Sequence, residues 1–208
     1  MSQFTRREKE RQMREAGRLP RGQSLTEKFP ILTYGPTPKF NPATWDLRVF
    51  GAVKRKRRWT WDKFLQLPTQ QMTVDIHCVT RWSKFDTTWE GVMFRDFLRE
   101  LELTDEARFV IAHCDYGYTT NLTLEAMDDD DVMLATKYEG KWLHEPELIE
   151  HGGPLRTVVP KRYFWKSAKF LRALEFSPVD KPGFWEAGAY HNEGDPFKEE
   201  RFNRRGFV

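Results

Sequence analysis

Two short apolar runs restrict this chain more than any other feature. MTVDIHCV, Met72 to Val79, and ARFVIAHC, Ala107 to Cys114, read as central strands, and each carries a His-Cys pair. Between them, FRDFLRELEL sets Phe94, Phe97, Leu98 and Leu101 on one face of an amphipathic helix. DLRVFGAV, Asp46 to Val53, adds a strand, followed by the basic run Lys54 to Arg58, which reads as a solvated hairpin turn. VMLATKYEG ends its strand in a Glu-Gly turn, and HGGPLRTVVP supplies a glycine turn and one strand more. Strands and helices alternate without a strict βαβ rhythm, so the fold class is α+β with mixed sheets.

Helix signals are local. In TWDKFLQLP, Thr60 is placed as an N-cap and Pro68 as a stop, and Thr123 is placed to cap a short acidic helix. YFWKSAKFLRALEF is ambiguous, because its aromatic start favours strand and its middle favours helix. KPGFWEAGAYHNEGDPF is expected to be an irregular flap. Residues 1–28 are charged and poor in large apolar side chains, so they are expected to form a solvated helix or mobile arm beside one domain spanning 29–208. Phe29 to Trp45 carries Pro30, Pro36, Pro38 and Pro42, which favour an extended segment laid along the body.

Composition narrows the function classes. Of the 208 residues 39% are hydrophobic, enough for one packed core, and a net charge of +3 is far from that of a nucleic-acid coat. Two cysteines cannot make a disulfide framework, which points to a reducing compartment. No apolar stretch of about 7–15 residues follows Arg6-Arg7, so no export signal is read. Nor does any run approach the ~18 apolar residues of a spanning helix, and a cytoplasmic location follows as an expectation.

Cys78 raises the chemical question. It lies between His77 and the cation Arg81, with Trp82 next. Successive strand side chains point to opposite faces, so His77 and Cys78 do not readily bind one ion, and the same holds for His113 and Cys114. No CxxC or HxxxH completes a zinc site. A cysteine in an apolar strand is ordinarily core, and Cys114 keeps that reading. Arg81 favours a thiolate at Cys78. Downstream, Arg156, Lys161, Arg162, Lys166 and Lys169 punctuate an aromatic segment after Gly152-Gly153, a pattern suited to phosphate or to a solvated basic face.

Taken together, HCVTRWS, WEGVMFRDFL, GGPLRTVVPKRYFWKSAKF and GFWEAGAYHNEGDPF resemble the molybdopterin-binding domain of the sulfite oxidase-like oxidoreductases. The similarity covers about Phe29 to Phe197 and is nearest to the small bacterial branch that includes the catalytic subunit of protein-methionine-sulfoxide reductase. It implies a sulfite oxidase-type fold holding one molybdenum through one molybdopterin, with Cys78 as the metal's cysteine ligand. It also implies cofactor contacts at Thr33 and Tyr34 (beside Leu32), at Cys114, His151 and Arg156, and at Phe164, Trp165 and Lys166. The C-terminal immunoglobulin-like dimerisation domain of classical sulfite oxidases has no counterpart after GDPF, so a monomer is expected. Without a haem motif, electrons are expected to come from a separate partner.

The expected activity is oxygen-atom transfer to or from a small, sulfur-centred substrate, with Cys78, Arg81 and His77 at the reacting centre and Trp82, Tyr190, His191 and Asn192 around its entrance. Two rivals stay open. Cys78 with His113 as base would make a thiol-dependent enzyme, and the basic arm with RKRR would make a nucleic-acid-binding module.

Overall fold

The computed structural model describes residues 3–203. Its fold is the expected α+β arrangement of two mixed sheets. The first sheet is built on β5 (Trp82–Met93), which pairs antiparallel with β4 (Gln70–His77) and β8 (Met133–Tyr138) and parallel with β1 (Ser24–Leu25). Antiparallel β9 (Lys141–Trp142) and β10 (Arg156–Val158) flank β8. The second sheet has the order β3-β2-β11-β6-β7. There β2 (Asp46–Gly51) runs parallel to β11 (Leu171–Ser177), and β3 (Arg57–Thr60), β6 (Phe109–Cys114) and β7 (Thr119–Thr123) run antiparallel to their neighbours.

β1, β3, β5, β7 and β9 are strands that the hydrophobic pattern did not announce, and Arg57 and Arg58, read as part of a hairpin turn, belong to β3 because they pair with β2. WSKFDTTWEGVM is mostly polar, but its Trp and Thr residues suit a pleated surface, and Trp89 is fully buried. Its register slips at Glu90/Gly91, where a Cβ on Gly91 would run into the Leu134 carbonyl. The ambiguous segment resolves by parts into a 3-10 turn at Phe164–Lys166 and strand β11.

The helices are brief. α1 (Gln3–Glu15) belongs to the arm, α2 is Trp61–Phe64, α3 is Phe94–Leu98, α4 is Leu124–Met127 and α5 is Phe184–Gly188. Thr123 accepts a hydrogen bond from Ala126 N at 3.1 Å, whereas the Thr60 side chain caps nothing. Phe64, Phe94 and Phe97 join Leu47, Val110 and Leu174 in the main core. Removing the Phe97 ring would cost about 3–5 kcal/mol.

Both ends differ from expectation. α5 and a bridge between Tyr190 and Phe202 order the flap. Beyond α1 the arm is neither solvated nor loose, because Leu19, Pro20 and Gln23 are buried and β1 joins the first sheet. Arg18 explains the docking, with Nε 2.9 Å from Asp75 and Nη2 2.6 Å from Asp86.

Candidate active site

β4 and β5 meet in a tight turn that carries Cys78. Cys78 N donates to Trp82 O at 2.9 Å, Arg81 N donates to Cys78 O at 3.0 Å, and Arg81 takes φ 74°. β6 and β7 meet in a similar turn, in which Cys114 N donates to Tyr118 O at 2.9 Å and Tyr116 takes φ 60°. Between the two turns lies a cavity of about 300 Å³. Cys78, Val79, Thr80 and Trp82 line it from the first turn, and Asp115 and Tyr118 from the second. Arg156, Phe164, Trp165, Ser167, Lys169 and Phe170 form its floor. Phe29, Pro30 and Leu32 to Tyr34 line it from the proline-rich segment, and Trp185 and Tyr190 from the C-terminal flap.

The proline-rich segment is therefore part of the site. Lys169 holds it there, donating from Nζ to Leu32 O at 2.8 Å and Thr33 Oγ1 at 3.3 Å, and also to Glu150 O at 2.7 Å. Burial, then the nearby Arg156 charge, brings the Lys169 ammonium down to about 7. Arg156 is fully buried, donates to His151 O and to Ser167 O at 2.9 Å, and lies 4.3 Å over the Phe164 ring. Burial brings it down to about 9. Behind the wall, Lys166 pairs with Glu186 at 2.7 Å and donates to Asn121 O at 2.7 Å. Glu186 also accepts from Trp165 Nε1 at 2.9 Å, which fixes the indole that faces the cavity.

Burial pushes the Cys78 thiol up, against a 3.1 Å hydrogen bond to Thr80 Oγ1 and the fields of Arg201 and Lys169. Arg81 is exposed and does not line the cavity, so it is not the cation that favours a thiolate. His77 is also outside it. Its buried ring meets Ser83 Oγ at 2.8 Å and packs edge-on to Phe197.

Of the other expected contacts, Thr33, Tyr34, Arg156, Phe164 and Trp165 face the cavity, as do Leu32, Trp82 and Tyr190. Cys114, His151 and Lys166 do not, and neither do His191 and Asn192. Cys114 belongs to the main core, where burial pushes its thiol far up. His151 stacks on Phe29 with centroids 4.0 Å apart, supporting the wall from behind. His191 Nδ1 accepts from Glu193 N at 3.1 Å, and Asn192 ties Asn121 to Asp180. His113 is hydrogen-bonded to Glu175 at 3.0 Å and is not at the cavity, so the Cys78–His113 pair is not assembled.

The basic cluster divides. Arg156 and Lys169 reach the cavity, while Lys161 pairs with Asp129 and Arg162 with Glu193. Phe29, Asp115, Tyr118, Ser167, Phe170 and Trp185 are lining residues that sequence reasoning missed. The four aromatic ones are signalled only by the aromatic excess, which does not say which rings share a space, and Asp115 and Ser167 carry no signal.

These residues fit a molybdenum-bearing pterin. Among the described residues, no group of three or more His, Cys, Asp or Glu is placed to hold a metal ion, so a metal at Cys78 needs ligands from elsewhere, such as a dithiolene. Flat aromatic walls suit a fused ring, and the Arg156 guanidinium with the Lys169 amine suits a phosphate.

The comparisons with known proteins agree. The model of the oxidoreductase molybdopterin binding domain matches residues 34–185. The chain is 40% identical over 195 residues to the uncharacterized oxidoreductase YuiH of Bacillus subtilis (strain 168), covering 93% of this chain and 96% of that one. Identity is 25% over 169 residues to the protein-methionine-sulfoxide reductase catalytic subunit MsrP of Campylobacter jejuni, covering 72% of this chain and 54% of that one, so the match spans about half of that relative's length. The sulfane dehydrogenase SoxCD from Paracoccus pantotrophus shares the fold, with a TM-score of 0.62 at 20% identity over 74% of this chain and 42% of that one. With its fold, its cavity and the family match in agreement, the chain belongs to the molybdopterin-binding oxidoreductases, enzymes whose cofactor is molybdopterin with molybdenum.

Proposed function

We propose that Cys78 is the protein's sulfur ligand to molybdenum and that the enzyme moves an oxygen atom to or from a small, sulfur-centred substrate. One observation carries the reading: the sole cysteine facing the cavity is a thiol that burial keeps neutral, waiting for a partner that displaces its proton. When bound, the metal supplies a two-electron couple able to exchange oxygen.

The chain's own residues do the rest. Arg156, anchored by its three carbonyl contacts, keeps a fixed positive charge under the cavity. Lys169 Nζ sits beside it, and an anion at that place would draw the ammonium back to its charged form. Phe164 and Trp165 present flat faces, while Trp82, Trp185 and Tyr190 narrow the approach and limit water. His77 and Arg81 lie outside this arrangement and carry no step in it.

A sulfur-centred substrate is supported by the names of the relatives, a methionine-sulfoxide reductase and a sulfane dehydrogenase. A separate electron partner is supported by the naming of MsrP as a catalytic subunit. Two free cysteines fit a reducing, cytoplasmic setting. Among the described residues no helix is long and apolar enough to cross a membrane.

The test begins with elemental molybdenum and oxidised-pterin fluorescence on protein made with molybdate, followed by dye-linked turnover of methionine sulfoxide and of sulfite. Cys78→Ser is expected to lose all turnover and to change the paramagnetic resonance spectrum of the molybdenum. Full turnover in that variant refutes the reading. Lys169→Met is expected to lose cofactor more readily than Lys169→Arg, which keeps the charge.

A further inference from the structure

The Cys78 turn does not hold itself. Arg81 occupies the left-handed region at φ 74°, at a cost of roughly 1–2 kcal/mol for a residue with a Cβ. Three carbonyls of the turn are tied from outside the hairpin, each by a residue beyond the 34–185 span of the family model. Cys78 O accepts from Gln23 Nε2 at 2.9 Å, Val79 O accepts from Arg201 Nη1 at 2.6 Å, and Arg81 O accepts from Ser24 N at 2.9 Å.

Gln23 is 1% exposed and Arg201 6%, so water competes little for either bond. Both are themselves fixed. Arg14 Nη2 donates to Gln23 O at 2.7 Å, and the Arg201 guanidinium lies 4.8 Å over the ring of the fully buried Tyr163. Arg201 forms no ion pair with a carboxylate among the described residues. Its hydrogen-bond partners are the carbonyls of Val79 and, at 3.5 Å, Gly22. A buried cation paired only with backbone is a costly arrangement, and here it is spent on the residue next to Cys78. Neither Gln23 nor Arg201 lines the cavity, so direct contact with substrate or cofactor does not explain them.

We propose that Gln23 and Arg201 are positioning residues that clamp the backbone of the Cys78 turn and thereby set the direction and accessibility of the thiol. The inference rests on Cys78 being the molybdenum ligand. Removing either clamp lets the turn relax toward a less strained backbone, which redirects Sγ and opens it to reagents while the two sheets stay intact.

The test uses the full chain with Gln23→Leu, Arg201→Met and Arg201→Lys. In cofactor-free protein, the rate at which the Cys78 thiolate is alkylated by iodoacetamide, read on its peptide by mass spectrometry across a pH series so that the thiolate fraction is divided out, is expected to be about tenfold higher in Gln23→Leu and Arg201→Met, equivalent to ~1.4 kcal/mol for the lost bond. In loaded protein the paramagnetic resonance spectrum of the molybdenum is expected to shift in the same two variants. Arg201→Lys, which keeps a cationic donor, recovers most of both. Phe97→Leu, a lesion in the main core, serves as a control that lowers the melting temperature without moving either readout. Should Arg201→Met fail to fold, Gln23→Leu carries the same comparison.

Unchanged alkylation and an unchanged spectrum in a folded clamp variant overturn the proposal, as does an equal change in Phe97→Leu. Cys78→Ser separates the two ideas. If its loaded form keeps wild-type turnover and the wild-type spectrum, the ligand reading fails; if both change while the clamp variants behave like wild type, only the clamp fails.

Discussion

His77-Cys78 and His113-Cys114 are the same dipeptide at the end of a strand, one in each sheet, and both lead into a turn closed from the cysteine N–H to the carbonyl four residues on. Their fates are opposite. Cys78 opens on the cavity and Cys114 is sealed in the main core, while His77 is buried against Ser83 and His113 is half-buried against Glu175. The difference teaches that a reactive sulfur is made by what surrounds the turn. Cys114 is packed into the main hydrophobic core, whereas Cys78 opens on a cavity and has the carbonyls of its turn tied by Gln23 and Arg201.

The comparison breaks most visibly at the sulfurs. Cys78→Ser is expected to abolish turnover, whereas Cys114→Ser is expected to keep it and lose about 1–3 kcal/mol of stability, measured by urea unfolding, because a hydroxyl replaces a thiol in the core. Next comes the buried cation. Arg156→Gln leaves the carbonyls of His151 and Ser167 short of donors, and a loss of about 3 kcal/mol with poor pterin retention is expected in the same assays.

Acid sharpens the contrast between histidines. Burial brings His77 and His151 down to about 4, below their unfolded value of about 6.5. The unfolded chain therefore binds their protons first. Their contribution to stability is complete above about pH 6.5 and declines as the pH falls toward 4, by on the order of 3 kcal/mol each at most. His151→Gln should flatten the fall of melting temperature across that window; an unaltered slope would remove His151 as a cause. The smallest effect is expected at the other pair, where His113→Gln, at a half-buried ion pair, should change unfolding free energy by less than about 1 kcal/mol.

What the sequence disclosed follows from how local each cause is. The strands at β4, β6 and β8 carry their own apolar content, and Thr123 caps the helix three residues ahead, so these were legible. β5 was not, because its stability comes from three neighbouring strands instead of its own pattern. Cys78, Arg156, Phe164 and Trp165 were legible as site residues through motif resemblance, and the cavity accommodates each of them. Arg81 and His77 looked catalytic because they adjoin Cys78 in sequence, yet a tight turn sends adjacent side chains in different directions. Gln23 and Arg201 gave no signal at all, since a polar side chain bonded to a distant carbonyl leaves no periodicity behind.

The bond between Arg201 and the Val79 carbonyl joins positions 122 residues apart. During synthesis, β4 and β5 emerge and can pair long before Arg201 exists, so a nascent chain carries the Cys78 turn without its second clamp. The turn is tied on both its Cys78 and Val79 carbonyls only once Arg201 has been made, so a product that stops short of Arg201 is expected to carry the two paired strands with an incompletely held thiol between them.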